Sequence, residues 1–297
     1  MGVIQQIVNG LALGGVYSLL AIGWTMVWGI VGMINWTHGE VFMLGGFAGF
    51  FLLTIFHLHF VSALLLSALI CGILAMTIDH IGYKPLRAAR APRVALLITA
   101  LGFSTFLKNT TSLVVSPDPK AYPRVIEQEF IELFSLGGKS VSINNLQLVI
   151  LVTTAILMLG LQLFIRQTKV GKAMIAASQD VEAVSLMGAS VQKLMTVTFL
   201  ISGMLGGGAG VLVGTLYSID PWMGSMAGIK GWEAAVVGGI GSLSGAMVAG
   251  VLLGIVENLT AAYISSGWRD AIGFLLMILT LIFKPSGLMG LKVEDKV

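Results

Sequence analysis

The stretch IVNGLALGGVYSLLAIGWTMVWGIV, residues 7–31, contains no charged side chain. It is longer than the roughly 20 apolar residues that an α-helix needs to cross the hydrocarbon core of a bilayer. Seven further apolar segments come after it, at residues 41–56, 61–81, 94–115, 146–165, 194–217, 234–259 and 271–283. This pattern predicts an all-α, polytopic membrane protein in which one transmembrane domain, residues 1–297, contains about eight spanning helices.

The composition of the whole chain excludes several other classes of protein. Apolar residues make up 56% of the 297 positions and charged residues only 10%, whereas a soluble domain carries roughly 25% charged residues. So little polar surface excludes a soluble enzyme, a disordered chain and a nucleic-acid-binding protein. The single cysteine, Cys71, excludes a disulfide framework and a cysteine-based metal cluster. We therefore expect no catalytic residue, no metal site and no cofactor in this chain.

Polar or glycine-rich sequence follows one apolar segment directly and interrupts another. The motif INWTHGE, residues 34–40, comes directly after the first segment, and GGIGSLSG, residues 238–245, lies inside the seventh. We predict broken helices near residues 32–40 and 238–245, because a break at membrane depth is tolerated where protein surrounds it or where it lines a cavity. Ten shorter passes therefore remain an alternative to eight.

Glycines recur four residues apart in several segments, for example at Gly45 and Gly49 and at Gly206 and Gly210. Helices inside a bilayer associate by packing rather than by expulsion of water, and small residues at this spacing let two backbones approach closely. The spacing therefore favours a role in helix packing over a role in ligand binding.

Positively charged residues indicate which loops face the cytoplasm. Residues 84–93 contain four basic residues and no acidic one, and residues 166–193 contain four basic and two acidic residues. We predict that both loops are cytoplasmic. The loop between them, residues 116–145, is more acidic than basic and is predicted to be periplasmic, with its three prolines indicating an ordered cap. The side on which the termini lie depends on the number of passes and stays open.

Polar residues beside a membrane segment mark candidate positions on a translocation path, because ionisable groups are expensive in the hydrocarbon core. Asn35, His38 and Glu40 surround Gly39 at the first break, and we predict that they line or border such a path. The alternative is an interfacial loop in which His38 or Glu40 caps the N-terminus of the second helix. Glu233 is a fourth candidate, although Lys230, three residues earlier, can pair with it on one helical face.

Two other charged residues have simpler explanations. Glu257 lies toward the end of the seventh apolar segment, and an end-of-helix position accounts for it. Lys108 lies late enough in the fourth segment for its ammonium group to extend toward the interface. A role for Lys108 as the counter-charge of a substrate is the alternative.

The loop of residues 166–193 is predicted to contain a short amphipathic helix. Between residues 176 and 188, polar residues are interspersed with Val184, Leu186 and Met187, a pattern typical of a helix that docks on a partner protein or rests on the membrane surface. Gly188 should end this helix, because glycine readily adopts the left-handed cap conformation.

The segment EAVSLMG, residues 182–188, resembles the EAA-type loop of ABC import permeases. Three further segments resemble elements of the branched-chain amino acid ABC permeases and occur in the same order. They are INWTHGEVFMLGGF at residues 34–47, AAVVGGIGSLSGAMVAGVLLGIVE at 234–257 and KPSGLMG at 284–290. The resemblance extends over almost the whole chain and implies an H-type permease of a high-affinity branched-chain amino acid importer. It also implies that the helix over 176–188 is a coupling helix, in which Ala177, Glu182, Ala183 and Gly188 contact an ATPase.

Such permeases lie in the bacterial inner membrane as multi-pass proteins. The resemblance implies four partners, namely a homologous M-type permease, two cytoplasmic ATPase subunits and a periplasmic substrate-binding protein. ATP hydrolysis then resides on the partners, so the chain itself is not expected to be an enzyme or to bind a cofactor. Whether the permease pairs with itself or with its homologue stays open.

Two other functions fit parts of the sequence. A permease of the same family that moves urea or short amides shares the HGE and GGIGS elements, residues 38–40 and 238–242 here. An ATP-independent secondary transporter or channel is the other alternative, and the EAA-like loop argues against it.

Overall fold

The computed structural model describes residues 2–123, 129–136 and 139–290. These residues form twelve α-helices and one β-hairpin. The helices are α1 (Val3–Val31), α2 (His38–Thr54), α3 (Phe60–Ile78), α4 (Lys84–Ala88), α5 (Arg93–Val115), α6 (Asn145–Gln167), α7 (Lys169–Gln179), α8 (Val181–Leu186), α9 (Val191–Leu216), α10 (Met223–Gly238), α11 (Leu243–Tyr263) and α12 (Arg269–Phe283). The strands are β1 (Phe130–Leu136) and β2 (Lys139–Asn144), which pair antiparallel.

Seven helical segments of the described residues are long and apolar enough to cross a membrane. They are Val3–Val31, Phe60–Ala88, Arg93–Val115, Asn145–Gln167, Val191–Leu216, Leu243–Tyr263 and Ser266–Phe283, and α2 is a shorter apolar helix. Together with α2 they account for the eight apolar segments of the sequence. The prediction of an all-α, polytopic membrane protein is therefore confirmed.

Both predicted helix breaks are present. The first separates α1 from α2, and Gly32 has a φ of +69° directly after the end of α1. The second separates α10 from α11, where Gly239 and Gly241 have φ values of +98° and +94°. Ser242 then caps α11 by accepting a hydrogen bond from the main-chain N–H of Gly245.

The described residues fall into two compact units. The first, called the terminal unit, contains Met1–Ile22, Arg124–Met158 and Lys230–Val297. The second, called the central unit, contains Gly23–Pro123 and Leu159–Ile229. Helices α1, α6 and α10 each contribute one part to each unit.

In the central unit, α2, α3 and α9 pack backbone to backbone. Gly45 of α2 lies directly against Gly207 of α9, with no space for a side chain on either residue. Gly210 of α9 in turn faces the main chain of Phe42 and Gly46. The close approach predicted from the glycine spacing is therefore confirmed.

A short segment of the predicted periplasmic loop is fixed to the same unit. Lys120 forms an isolated antiparallel bridge with Ile219, just after α9. The hydroxyl of Tyr122 donates a hydrogen bond of 2.5 Å to the carbonyl oxygen of Gly46. Burial raises the pKa of the Tyr122 phenol, so this group stays protonated and able to donate.

In the terminal unit, the start of α1 is joined to the hairpin. The side-chain amide of Gln5 donates to the carbonyl oxygen of Ser142 at 2.8 Å, and the N–H of Ser142 donates back at 2.9 Å. The start of α1 thus lies beside the loop of residues 116–145. The hairpin fits the predicted ordered cap, and residues 124–128 and 137–138 of this loop lie outside the described residues.

We expect Gly210→Ala to destabilise the protein by about 1–3 kcal/mol, because the new methyl group would overlap the backbone of α2. Gly160→Ala is the matched control, since a methyl group there meets no atom within 4 Å. Thermal unfolding of the purified protein in detergent measures both. Equal unfolding temperatures for the two variants would show that backbone contact between α2 and α9 does not stabilise the fold.

Candidate functional site

The polar cluster at the break between α1 and α2 is buried. Asn35 is 4% exposed, and Thr37, His38 and Glu40 are each 1% exposed. Glu40 lies in the first turn of α2, as the capping alternative requires, but its carboxylate bonds to side chains of two other helices. Three of the four predicted path residues, Asn35, His38 and Glu40, are therefore brought together in the central unit.

A π-helical turn provides the first set of contacts to this cluster. Helix α3 continues through the π turn Asp79–Tyr83 into α4, and such turns carry an extra residue that changes the direction of the side chains after it. The Tyr83 hydroxyl lies 2.7 Å from Thr37 Oγ1 and donates to Asn35 Oδ1 at 3.0 Å. The Thr37 hydroxyl also donates to the carbonyl oxygen of Ala100 in α5, at 3.0 Å. The break is thus linked to α3 and α5.

The His38 ring occupies space that two glycines leave open. A Cβ atom on Gly23 would overlap the ring, and one on Gly206 would lie 3.0 Å from it. His38 Nδ1 lies 3.3 Å from the hydroxyl oxygen of Ser202, and that hydroxyl donates to the carbonyl oxygen of Gly23 at 3.2 Å. Because the hydroxyl has one proton, this arrangement assigns the Nδ1 proton to His38, which then donates to Ser202.

Glu40 joins three helices through one carboxylate oxygen. Its Oε1 accepts hydrogen bonds from Ser104 of α5 at 3.0 Å and from Ser225 of α10 at 3.1 Å. Its Oε2 is also buried and has no hydrogen-bond partner within the described residues. Neither serine is identifiable from the sequence, because a single hydroxyl in an apolar helix is too common to indicate a contact.

Glu233 lies in the terminal unit, and so the structure does not group it with the other three predicted path residues. The ammonium nitrogen of Lys230 lies 3.2 Å from Glu233, 2.8 Å from Glu257 and 3.0 Å from Asp270. The predicted pairing of Lys230 with Glu233 is confirmed. Lys230 also lies over the ring of Phe274, 5.6 Å from its centroid.

The explanation of Glu257 as an end-of-helix residue is wrong. Helix α11 continues to Tyr263, and Glu257 is fully buried. Besides its ion pair with Lys230, it accepts a hydrogen bond of 2.9 Å from the Tyr17 hydroxyl. One feature of the sequence could have indicated this ion pair, because a lysine and a glutamate in neighbouring membrane segments each need a partner of opposite charge.

The loop that is predicted to be cytoplasmic, residues 166–193, forms two helices, α7 and α8. The prediction of one helix over residues 176–188 is therefore wrong. Asp180, between α7 and α8, has an extended backbone, and its side chain accepts hydrogen bonds from the N–H groups of Glu182 and Ala183. An aspartate in this arrangement caps the start of a new helix.

Gly188 ends α8 as predicted. It has a φ of +84°, and its N–H donates to the carbonyl oxygen of Ser185, while the N–H of Ala189 donates to that of Val184. These two bonds form a Schellman motif, which places a left-handed residue directly after the helix.

The predicted coupling residues differ in exposure. Glu182, Ala183 and Gly188 are exposed, whereas Ala177 is buried and cannot contribute to a docking surface in this conformation. The largest apolar groups at the end of α8 are Leu186 and Met187, which are 89% and 86% exposed.

The sequence matches, over residues 6–281, the family described as the permease component of branched-chain amino acid transport systems. The chain belongs to this family. It is 39% identical to the high-affinity branched-chain amino acid transport system permease protein LivH of Salmonella typhimurium, over 99% of this chain and 97% of that protein. It is 38% identical to the permease protein BraD of Pseudomonas aeruginosa, over 99% of this chain and 98% of that protein.

A solved structure, PsaBC from Streptococcus pneumoniae in complex with Fab, resembles the fold with a TM-score of 0.52. The likeness covers 96% of this chain and 93% of that chain, at 14% sequence identity. It supports the fold alone. Family membership confirms the resemblance found in the sequence, and it makes the chain a multi-pass permease component of a transport system rather than a catalytic subunit.

We expect Lys230→Gln to destabilise the permease by about 3–5 kcal/mol, because it leaves the carboxylates of Glu233 and Glu257 buried without a counter-charge. Lys169→Gln removes the same charge from an exposed position on α7 and should change stability by less than about 0.5 kcal/mol. Unfolding temperatures in detergent compare the two. If Lys230→Gln unfolds at the temperature of the control, the ion cluster does not hold α10, α11 and α12 together.

Proposed function

We propose that this chain is the permease subunit of an ABC importer that moves branched-chain amino acids across the bacterial inner membrane. The observation that carries the proposal is the identity of 38–39% over 99% of the chain to permeases of that name. The family match over residues 6–281 and the set of membrane-spanning helices support it.

The driving force comes from partner subunits in this proposal. The sequence has no G-x-x-x-x-G-K-[ST] motif with which to hold a nucleotide. Two cytoplasmic ATPase subunits supply the energy, a periplasmic binding protein delivers the substrate, and a homologous M-type permease completes the path. ATP binding moves the loop helices, and the permease pair changes which side of the membrane is open.

The α7–α8 loop is the proposed docking surface for an ATPase subunit. Leu186 and Met187 expose large apolar side chains at the end of α8, to a greater extent than Val170 and Ile175 of α7. Exposed apolar groups of this kind are favourable where a partner covers them. The backbone geometry of Asp180 and Gly188 keeps α8 short and fixes the direction of its exposed end.

Asn35, His38, Glu40 and Glu233 are proposed to border the translocation path. They act through polar contacts, and no covalent chemistry is involved. The burial of the first three beside a broken helix supports this role, because polar groups at such a position need either protein partners or a substrate.

Uptake by the complete transporter tests the proposed substrate. Membrane vesicles that contain the permease, the ATPase subunits and the binding protein should accumulate labelled leucine in an ATP-dependent manner and should not accumulate urea. Accumulation of urea without leucine would establish the amide permease instead. Uptake of leucine that persists without any ATPase subunit would establish a secondary transporter.

Thiol labelling tests the orientation. Cysteines placed at Ala89 and Ser178, both exposed, should resist an impermeant thiol reagent outside intact cells, because their loops are rich in basic residues. A cysteine at Asp118, also exposed, is the positive control for the outer side. The native Cys71 is 1% exposed and does not interfere. Labelling of Ala89→Cys or Ser178→Cys from outside would show that the predicted orientation is wrong.

Cross-linking tests the docking surface. A cysteine at Ala183, Leu186 or Met187 should capture an ATPase subunit, whereas a cysteine at the buried Ala177 should not. Ala183→Trp and Gly188→Glu should release or uncouple the ATPase, because the first adds bulk to the contact and the second strains a backbone with φ of +84°. Lys169→Gln should leave transport unchanged. Capture by Ala177→Cys alone would place the contact elsewhere on the loop.

A further inference from the structure

Two short helices begin side by side next to Glu40. Helix α2 has 17 residues and starts at His38, and α10 has 16 residues and starts at Met223. Gly39 lies in backbone contact with Gly224 and close to Gly228. In many transporters the ends of helices that are broken within the membrane form the site for a charged substrate.

Only one of the two carboxylate oxygens of Glu40 has hydrogen-bond partners among the described residues. Ser104 and Ser225 donate to Oε1, whereas Oε2 is buried without a hydrogen-bond partner in the part of the chain that the structure describes. Within those same residues, Glu40 takes part in no ion pair. A buried carboxyl oxygen without a hydrogen-bond partner is unfavourable, so an N–H donor with a positive charge would bind there favourably.

A positive charge that is also unpaired lies on the same side of α5. Lys108 comes four residues after Ser104, a spacing that places both on one face of the helix. It is half-buried. No ion pair joins Lys108 to Glu40 or to another acid of the described residues. Lys108 therefore lies one helical turn from the serine that contacts Glu40, and it forms no ion pair with Glu40.

We propose that Glu40 and Lys108 form a site for the zwitterionic head group of a free α-amino acid. Glu40 Oε2 accepts hydrogen bonds from the substrate ammonium group, and the Lys108 ammonium group binds the substrate carboxylate. This inference rests on the proposed function and specifies which chemical groups of the substrate the permease recognises.

The glycine contact gives this site a way to open. Glu40 is 1% exposed, so a substrate reaches it when the start of α10 moves away from the start of α2. Gly39, Gly224 and Gly228 meet through backbone atoms. Separation of the two helices at this point breaks the hydrogen bond from Ser225 to Glu40 Oε1, which frees that oxygen as well.

Direct binding to the purified, complete transporter tests the proposal. Labelled leucine is bound to the complex in lipid nanodiscs without the binding protein, and unlabelled compounds compete. Norleucine should displace it, whereas 4-methylpentanoate, which lacks the ammonium group, and 3-methylbutylamine, which lacks the carboxylate, should not. Glu40→Gln and Lys108→Gln should each weaken leucine binding about tenfold or more, because each removes a charged hydrogen bond.

Matched controls separate a loss of charge from a loss of fold. Glu132→Gln and Lys120→Gln make the same charge changes in the predicted periplasmic loop and should leave binding unchanged. Lys108→Gln removes no ion pair among the described residues, so its unfolding temperature should equal that of the unaltered permease. Unchanged leucine affinity in both site variants, or equal competition by 4-methylpentanoate, would overturn the proposal.

The same complex distinguishes a failure of this site from a failure of the proposed function. If the unaltered transporter accumulates leucine and the Glu40 and Lys108 variants bind leucine with unchanged affinity, the zwitterion site is wrong and the proposed function stands. If a complex that transports leucine shows no saturable leucine binding, the zwitterion site is likewise wrong and the proposed function stands. If the unaltered transporter accumulates no leucine, the proposed function fails, and this site fails with it.

Discussion

A bilayer offers no water to a broken helix, so every polar group at a break must find its partner inside the protein. The segment between α1 and α2 shows how this constraint is met. Four side chains from separate parts of the chain supply hydrogen-bonding groups to the polar residues of this segment, Asn35, Thr37, His38 and Glu40. They are Tyr83, Ser202, Ser104 and Ser225. The packing of α2 against α9 through glycine brings these partners within reach. The break therefore depends on tertiary structure for its stability, which makes it sensitive to movement of the surrounding helices.

The ion cluster of the terminal unit meets the same constraint with charges. Lys230 faces Glu233, Glu257 and Asp270, and three helices meet at its ammonium group. Of the three acids, only Asp270 is substantially exposed, at 51% of its side chain. Buried charges in membrane segments are kept where they pair or where they serve transport. The observed geometry shows the pairing, and the place of Glu233 on the path remains part of the functional proposal.

Features set by composition and local spacing could be predicted from the sequence. Apolar length predicted the spans, glycine and polar clusters predicted the two breaks, and the left-handed preference of glycine predicted the end of α8 at Gly188. Features set by distant contacts could not be predicted. The hydrogen bonds from Tyr83 depend on a π turn that no local pattern indicates, and the partners of Glu40 are serines far away in sequence. The capping role of Asp180 could not be predicted either. It depends on an extended backbone at this residue, and aspartate adopts that conformation as readily as the helical one that the sequence pattern indicated.

The central claim is that the polar groups around the α1–α2 break border the translocation path. The most direct measurement is the reactivity of Ser104→Cys in the assembled transporter toward a small water-soluble thiol reagent, since Ser104 contacts Glu40 and is 5% exposed. We predict slow reaction in the resting complex, faster reaction during ATP-driven turnover, and protection by leucine. Equally slow reaction in every state, while uptake continues, would contradict the claim.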